Sequence, residues 1–288
     1  MTQVVVPRSG SGRGHVRTLG PEDRGALHAL CLRSPHANLF VRQRLEQRTL
    51  GRPWLGAQWW GYEEAGRLVS ACHVGANVVP VEATPDAARA FADLLTREPA
   101  RQGSIVGPEA AVLAMWEVLE PVWGPARSVR PGQPFLTIER DSLVPPDPRV
   151  RLVQAHELEA LYPAAVSMFT EEVGVDPDPT RTGGYRARVR ELIALGHAYA
   201  IIEHGEVVFK TDVGAAMPDV VQLQGVWVHP RWRGTGLAAP ALSAVVRDAR
   251  ARLAPVVTLY VNDYNEVARR AYARVGFTQT DTFATILT

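Results

Sequence analysis

The sequence predicts an α/β protein of two tandem domains, each a central mixed, largely antiparallel sheet flanked by helices. Three observations carry that expectation. Two hairpin-like stretches share one frame at a fixed separation. A proline-rich segment divides the chain near its middle. In the second half, strands connect first through hairpins and then through helices, which implies a mixed sheet with helices on both faces.

The repeat is read directly. One stretch runs Glu64-Ala-Gly66-Arg-Leu-Val69-Ser-Ala-Cys-His-Val74-Gly75-Ala76, and the other Glu203-His-Gly205-Glu-Val-Val208-Phe-Lys-Thr-Asp-Val213-Gly214-Ala215. Six positions agree without a gap, at an offset of 139 residues. Each reads as strand, tight turn at Glu-x-Gly and second strand. An earlier pair, Val16-Arg17 with Ala26-Leu27 and Val150-Arg151 with Ala160-Leu161, agrees at an offset of 134. A five-residue insertion reconciles the offsets. Six matches in thirteen among such common residues are not decisive against chance, but agreement in order, spacing and local pattern favours a duplication.

The elements follow in order. Residues 1–14 read as a loose tail, and 15–140 as a first domain closed by a strand at Phe135–Ile138. The run Leu143-Val-Pro145-Pro146-Asp-Pro148 cannot continue a ladder, so 141–148 reads as a linker. The second domain, 149–288, reads as a strand at 149–153, a helix at 155–170, an acidic loop, and a helix at 183–195. Strands follow at 197–203, 206–214 and 219–228. A helix at 236–252, a strand at 256–261, a helix at 265–274 and strands at 277–280 and 282–287 complete it.

Composition bounds the function. The 288 residues suit one large domain or two ordinary ones, and 46% apolar with 21% charged residues suits a sizeable core. A formal net charge of +1 supplies no field to draw in nucleic acid or anionic lipid. Lys210 is the only lysine, a skew that reads as compositional. Cys31 and Cys72 match no metal spacing and read as reduced, buried residues. No apolar run is long enough to span a membrane, and Val4–Val6 is too short for a signal-peptide core. The expected compartment is the cytosol.

The most informative run is Val226-Trp227-Val228-His229-Pro230-Arg231-Trp232-Arg233-Gly234-Thr235-Gly236-Leu237-Ala238. An apolar strand ends at Val228, Pro230 stops it, and a basic, glycine-rich loop leads into a helix near Gly236. Such a loop exposes successive backbone N–H groups beside a helix N-terminus, which suits a pyrophosphate. Arg231 and Arg233 add positive charge there. The loop is neither a Walker loop nor the dinucleotide glycine fingerprint. Downstream, Asn265 suits an N-cap, Ala268 and Tyr272 share a helix face, and Gly276 suits the position just past the helix end.

On these residues the second half resembles the GCN5-related N-acetyltransferase (GNAT) superfamily. Arg233-Gly234-Thr235-Gly236-Leu237-Ala238 fits its acetyl-CoA signature, and Asn265-x-x-Ala268-x-x-x-Tyr272-x-x-x-Gly276-Phe277 fits its second. The resemblance covers 149–288 and extends more weakly to 15–140. It implies transfer of an acetyl group from acetyl-CoA to a primary amine of a small molecule or peptide, with no metal. It implies that Val226, Trp227 and Val228 flank the pantetheine arm. The amides of 233–238, with Arg231 nearby, would hold the pyrophosphate, and Asn265 would touch the coenzyme. Tyr272 would protonate the departing thiolate. Gly225 reads as a bulge opening a slot for the coenzyme.

One departure stands out. Many relatives carry a glutamate on the strand before the loop, as base for the amine. Here Gln222 and Gln224 stand in that strand, and an amide takes no proton at neutral pH. Glu171 and Glu172, expected in the acidic loop, are the candidate bases. Asp263 and His229 are weaker ones. The missing glutamate leaves open a coenzyme-binding module without catalysis. An aminoacyl-tRNA-dependent transferase of the same fold is disfavoured by the glycine loop and the neutral charge. The first half lacks both signatures: no glycine lies between Ala76 and Gln102, and Thr84-Pro85-Asp86 reads as a plain helix start. It therefore reads as a degenerate copy that shapes the acceptor cleft or supports the second domain. Trp54, Trp59 and Trp60 read as packing residues. The oligomeric expectation is a monomer or homodimer.

Overall fold

A computed structural model of the chain describes residues 14–47, 57–98, 102–180 and 182–288. The tail up to Arg13, and Trp54, lie outside them. In chain order the strands and helices are β1 (His15–Thr18), α1 (Arg24–Cys31), α2 (Leu39–Gln47), β2 (Gln58–Glu64), β3 (Arg67–Val74), β4 (Asn77–Val81), α3 (Pro85–Leu95), β5 (Ser104–Pro108), α4 (Glu109–Trp123) and β6 (Ser128–Ile138). Then come β7 (Arg151–Leu152), α5 (Leu158–Val173), α6 (Gly184–Ala194), β8 (Ala198–Glu203), β9 (Glu206–Met217), β10 (Val220–Val228), α7 (Ala238–Arg252), β11 (Val256–Tyr260), α8 (Glu266–Val275) and β12 (Thr278–Leu287).

The chain forms two compact units. One holds the described residues up to Phe135 together with Tyr260–Tyr264 and Gln279–Thr288; the other holds Leu136–Leu259 and Asn265–Thr278. The first unit has strand order β1-β2-β3-β4-β5-β12, and the second β7-β8-β9-β10-β11. Pairing is antiparallel throughout the first except β4–β5. It is antiparallel in the second except β10–β11. Both are thus mixed, largely antiparallel sheets with helices between the later strands. The sequence suggests two terminal strands; the structure has one, β12, whose inner half pairs with β5 from Phe283↔Pro108 to Leu287↔Ser104. Phe283 there stacks on Phe135 with centroids 4.7 Å apart, so burial fixes this strand in the first unit.

The duplication is visible in atomic detail. Both hairpins turn through two left-handed residues, Ala65 (φ +48°) with Gly66 (+77°) and His204 (+52°) with Gly205 (+81°). Two-residue turns of this hand match the twist of the flanking strands. In each first strand, an arginine clamps a carboxylate from the turn that follows with both terminal nitrogens. Arg17 donates to Asp23 at 2.7 and 2.6 Å, and Arg151 to Glu157 at 2.7 and 2.6 Å. Each carboxylate also caps a 3₁₀ turn by accepting from a backbone N–H, Gly20 in one case and Gln154 in the other, both at 2.8 Å. All three positions repeat at an offset of 134.

The cores follow from the patterning. In the first unit Phe91, Leu95, Met115 and Leu119 of α3 and α4 pack with Val78, Ile105 and Ile286. Leu27, Leu30, Val41 and Leu45 of α1 and α2 pack with Trp59, Ala71 and Val81. Trp59 and Trp60 are buried packing residues. In the second unit Leu161, Ala165, Val189 and Leu192 of α5 and α6 cover Ala198, Ala200, Val207 and Trp227. Both cysteines are buried and reduced.

Two local expectations need correction. Residues 155–157 form the capped 3₁₀ turn, so α5 starts at Leu158 and runs to Val173, where Gly174 ends it at φ +81°. Glu171 and Glu172 therefore sit in the last turn of a helix, not in a loop. Further along, α7 starts at Ala238 rather than near Gly236, because Gly234 (φ +79°) and Gly236 (+83°) hold left-handed conformations that a helix cannot contain.

Candidate active site of the second unit

The site begins where β10 leaves β11. Parallel register between them covers only Val220–Gln222 against Val256–Thr258. Yet β10 continues to Val228, held on its other side by β9 through Trp227↔Lys210 and Val228↔Phe209. Between Gln224 and Trp227 the register slips, and Gly225 takes φ +59°. This is the bulge anticipated from the sequence. The edge of β10 from Leu223 to Val228 thus runs beyond its parallel partner, with backbone groups able to pair with an extended ligand. Val226 and Val228 are half-buried there and Trp227 is buried.

The glycine loop follows at once. His229 Nδ1 accepts from the Arg231 N–H at 3.3 Å, and Pro230–Trp232 make a single 3₁₀ turn. The Thr235 hydroxyl donates to the Trp232 carbonyl at 2.8 Å. A Cβ added at Gly234 or Gly236 would meet nothing within 4 Å, so the glycines serve backbone conformation and face open space. Leu237 precedes the first turn of α7. The N–H groups at such a helix start lack helical acceptors and sit at the positive end of its dipole.

Arg233 does not extend toward that space. Its Nε donates to the Val228 carbonyl at 3.0 Å, and its Nη2 pairs with Glu171 at 2.7 Å. The other oxygen of Glu171 accepts from the Trp227 indole N–H at 3.1 Å. Glu171 is thus a strut that ties the loop and β10 to the end of α5. Arg231 is largely exposed and lies 3.9 Å from Glu206, which also faces His229 at 3.2 Å.

On α8, the Asn265 side chain accepts from the Ala268 N–H at 3.1 Å and caps the helix. Tyr272 is buried, with its ring 6.0 Å from that of Phe277. Burial pushes its phenol above the ordinary value, and the negative charge of Glu172 adds to the rise. Tyr185 of α6 is raised in the same way, by burial first and then by Asp212, Tyr162 and Glu172. Glu172 is therefore the carboxylate whose field reaches both phenols.

Sequence reasoning missed one feature. Lys210 and Asp212 form an ion pair at 2.5 Å on β9, with residue exposures of only 1% and 5%. Asp212 stands opposite Gln224 in the ladder, so the acid absent from β10 occurs one strand away. The Nζ of Lys210 lies 3.3 Å from where a Cβ on Gly225 would fall, against the bulge itself. The signal available was the solitary lysine among arginines, two residues from Asp212 inside a largely apolar strand.

The first unit shows what the missing signatures do. Its β4 is followed directly by Glu82 and by Thr84, whose side chain caps α3 by accepting from the Ala87 N–H at 3.2 Å. The stretch of β4 beyond its register with β5 carries Pro80, which has no N–H to offer and packs 3.4 Å from the Cβ position of Gly107. The seventh residue of α4 is Met115, where α8 has Tyr272.

Comparison with known proteins bears on the fold. Residues 159–277 match the acetyltransferase (GNAT) family, and 57–161 match a domain of unknown function, DUF4081. No curated protein matches the chain. Among solved structures, a GCN5-related N-acetyltransferase from Sphaerobacter thermophilus is 16% identical with a TM-score of 0.60, covering 96% of this chain and 95% of its own. A tandem GNAT protein from the clavulanic acid biosynthesis pathway is 15% identical with a TM-score of 0.59, covering 96% and 98%. A GNAT-family acetyltransferase from Colwellia psychrerythraea is 13% identical with a TM-score of 0.52, covering 95% and 99%. The fold is that of tandem GNAT proteins. Residues 159–277 match the GNAT family model, and the first half, which matches DUF4081, fits a degenerate copy of the same fold. Among the described residues there is no cluster of three His, Cys, Asp or Glu suited to a metal, and no helix long and apolar enough to cross a membrane.

Proposed function

We infer that the protein is an N-acetyltransferase that moves the acetyl group of acetyl-CoA to a primary amine of a small molecule or peptide by direct attack. The observation that carries this reading is the edge of β10 from Leu223 to Val228, which runs past β11 straight into the open glycine loop. The pantetheine arm pairs with that edge as an added strand would. The amides of Gly234 to Ala238 hold the diphosphate. Arg233 supports this loop through Val228 and Glu171, and Arg231 supplies charge at its rim. Asn265 holds the start of α8, which carries Tyr272.

Chemistry then needs the nitrogen to lose two protons and the sulfur to gain one. Glu172, whose charge reaches both Tyr272 and Tyr185, takes a proton from the acceptor's ammonium. The freed amine attacks the thioester carbon; a C–N bond forms, the C–S bond breaks, and its electron pair leaves on sulfur. Tyr272, kept neutral by burial, donates its proton to that thiolate, and the second proton of the attacking nitrogen, lost as the amide forms, restores the phenol.

Screening amines with a free-thiol readout identifies the acceptor, and Tyr272→Phe then tests the mechanism. The expected result is a fall in kcat of about 10²–10⁴ with acetyl-CoA affinity unchanged. No thiol release with any amine would instead favour the non-catalytic acyl-CoA module, the reading to which Gln224 gives an opening. Unchanged turnover in Tyr272→Phe would remove that tyrosine from the role of acid.

A further inference from the structure

Lys210 is the one lysine of the chain, and it is 1% exposed. A buried cation costs several kcal/mol unless it is paired and hydrogen-bonded, so its place calls for an account. An ammonium carries three N–H donors, and its one hydrogen bond among the described residues goes to Asp212. The head does not face the middle of a core. It lies 3.3 Å from the Cβ position of Gly225, beside Met168, at the residue where β10 bulges. A side chain at 225 would press on both, and glycine leaves the backbone bare in front of the ammonium. The bulge falls within the stretch of β10 that has left β11.

We propose that Lys210 is the electrophilic group for the acyl carbonyl: its ammonium, fixed by Asp212, donates a hydrogen bond to the thioester oxygen and stabilises the oxyanion of the tetrahedral intermediate. This rests on the reading of β10 as the coenzyme edge. No bond to Lys210 forms or breaks. The carbonyl oxygen gains negative charge as the amine adds, and loses it as the C–S bond breaks. A cation preorganised in a water-poor site acts on charge as it develops, where such donors are worth most. Asp212 is a positioning residue that aims the ammonium.

The test uses three probes: acetyl-CoA, CoA, and S-ethyl-CoA, a thioether that keeps the shape but has no carbonyl. Binding is measured by calorimetry to the wild-type chain and to Lys210→Met. The double variant Lys210→Met/Asp212→Asn, which leaves no unpaired buried charge, serves if the single variant does not fold. The wild-type chain should prefer acetyl-CoA over S-ethyl-CoA by about tenfold or more, the range of a charge-assisted hydrogen bond. The variant should lose that preference and hold CoA as before. The infrared carbonyl band of bound ¹³C-labelled acetyl-CoA should move to lower frequency in the wild type and return toward the free position in the variant. A preference that survives loss of the lysine overturns the proposal, as does acetylation of Lys210 itself detected by mass. If none of the three probes binds the wild-type chain, the coenzyme reading falls first and this inference with it.

Discussion

Replacing Gly225 by alanine is a sharp test of how the bulge is built. Two costs are separable. The first is conformational: at φ +59° an L-residue is left-handed, which costs about 1–2 kcal/mol. The second is steric, since the new Cβ would lie 2.7 Å from Met168 Cε and 3.3 Å from both Met168 Sδ and Lys210 Nζ. Overpacking of this kind costs about 1–3 kcal/mol. Together they predict a loss of about 2–5 kcal/mol, a fall in Tm on the order of 10 °C for a unit of this size. Urea melts followed by tryptophan fluorescence measure it. Met168→Ala provides the control. Alone it costs less than the loss of a fully buried methionine, about 2–5 kcal/mol, because Met168 is only half-buried. In its presence the alanine at 225 has room, so the double variant should be less destabilised than the sum of the singles by about 1–3 kcal/mol. Strict additivity, or a Gly225→Ala protein as stable as wild type, would refute the steric account of the bulge.

Three further outcomes follow from the same geometry. Glu157, clamped by Arg151 and by the Gln154 N–H, is held down at about 2, against an ordinary 4.5. A lowered acid contributes stability that is present above its unfolded value and lost as pH falls through the folded one. Melts between pH 5 and 2 should therefore show a decline that Glu157→Gln flattens. At the alkaline end, burial raises Tyr185, Tyr199 and Tyr272 above the ordinary 10. Stability is then full below pH 10 and falls as the unfolded chain ionises above it, seen as a Tm that declines as pH rises past 10. Burial pushes the Cys31 thiol up to about 12 and Cys72 higher still. A disulfide-exchange reagent should leave both untouched in the native protein and titrate two thiols in denaturant.

Much of the fold was legible because its signals are local. Glu-x-Gly between alternating apolar runs specifies a two-residue turn, and it did so twice. Asn265 and Gly276 mark the ends of α8 through groups within a few residues of each helix end. The glycine loop was legible for the same reason. The start of α7 was displaced because Gly234 and Gly236 adopt positive φ, which the sequence permits but does not dictate. Glu171 and Glu172 were misplaced because the 3₁₀ turn at 155–157 shifts α5 along the chain. What the sequence concealed was long-range. The strut from Glu171 to Arg233 spans 62 residues. The burial of Lys210 depends on Met168 and on the bulge at Gly225, neither of which is visible from the strand that bears it. A lone lysine looked like a matter of composition until its neighbours were known.

The central claim is that the backbone from Gly234 to Ala238 grips the diphosphate of a CoA ester while β10 pairs with its pantetheine. A crystal structure of the protein with acetyl-CoA tests it most directly. The account predicts diphosphate oxygens within hydrogen-bond distance of those amides and the thioester beside Gly225 and Tyr272. Coenzyme seated elsewhere, or this loop closed against protein, would contradict it.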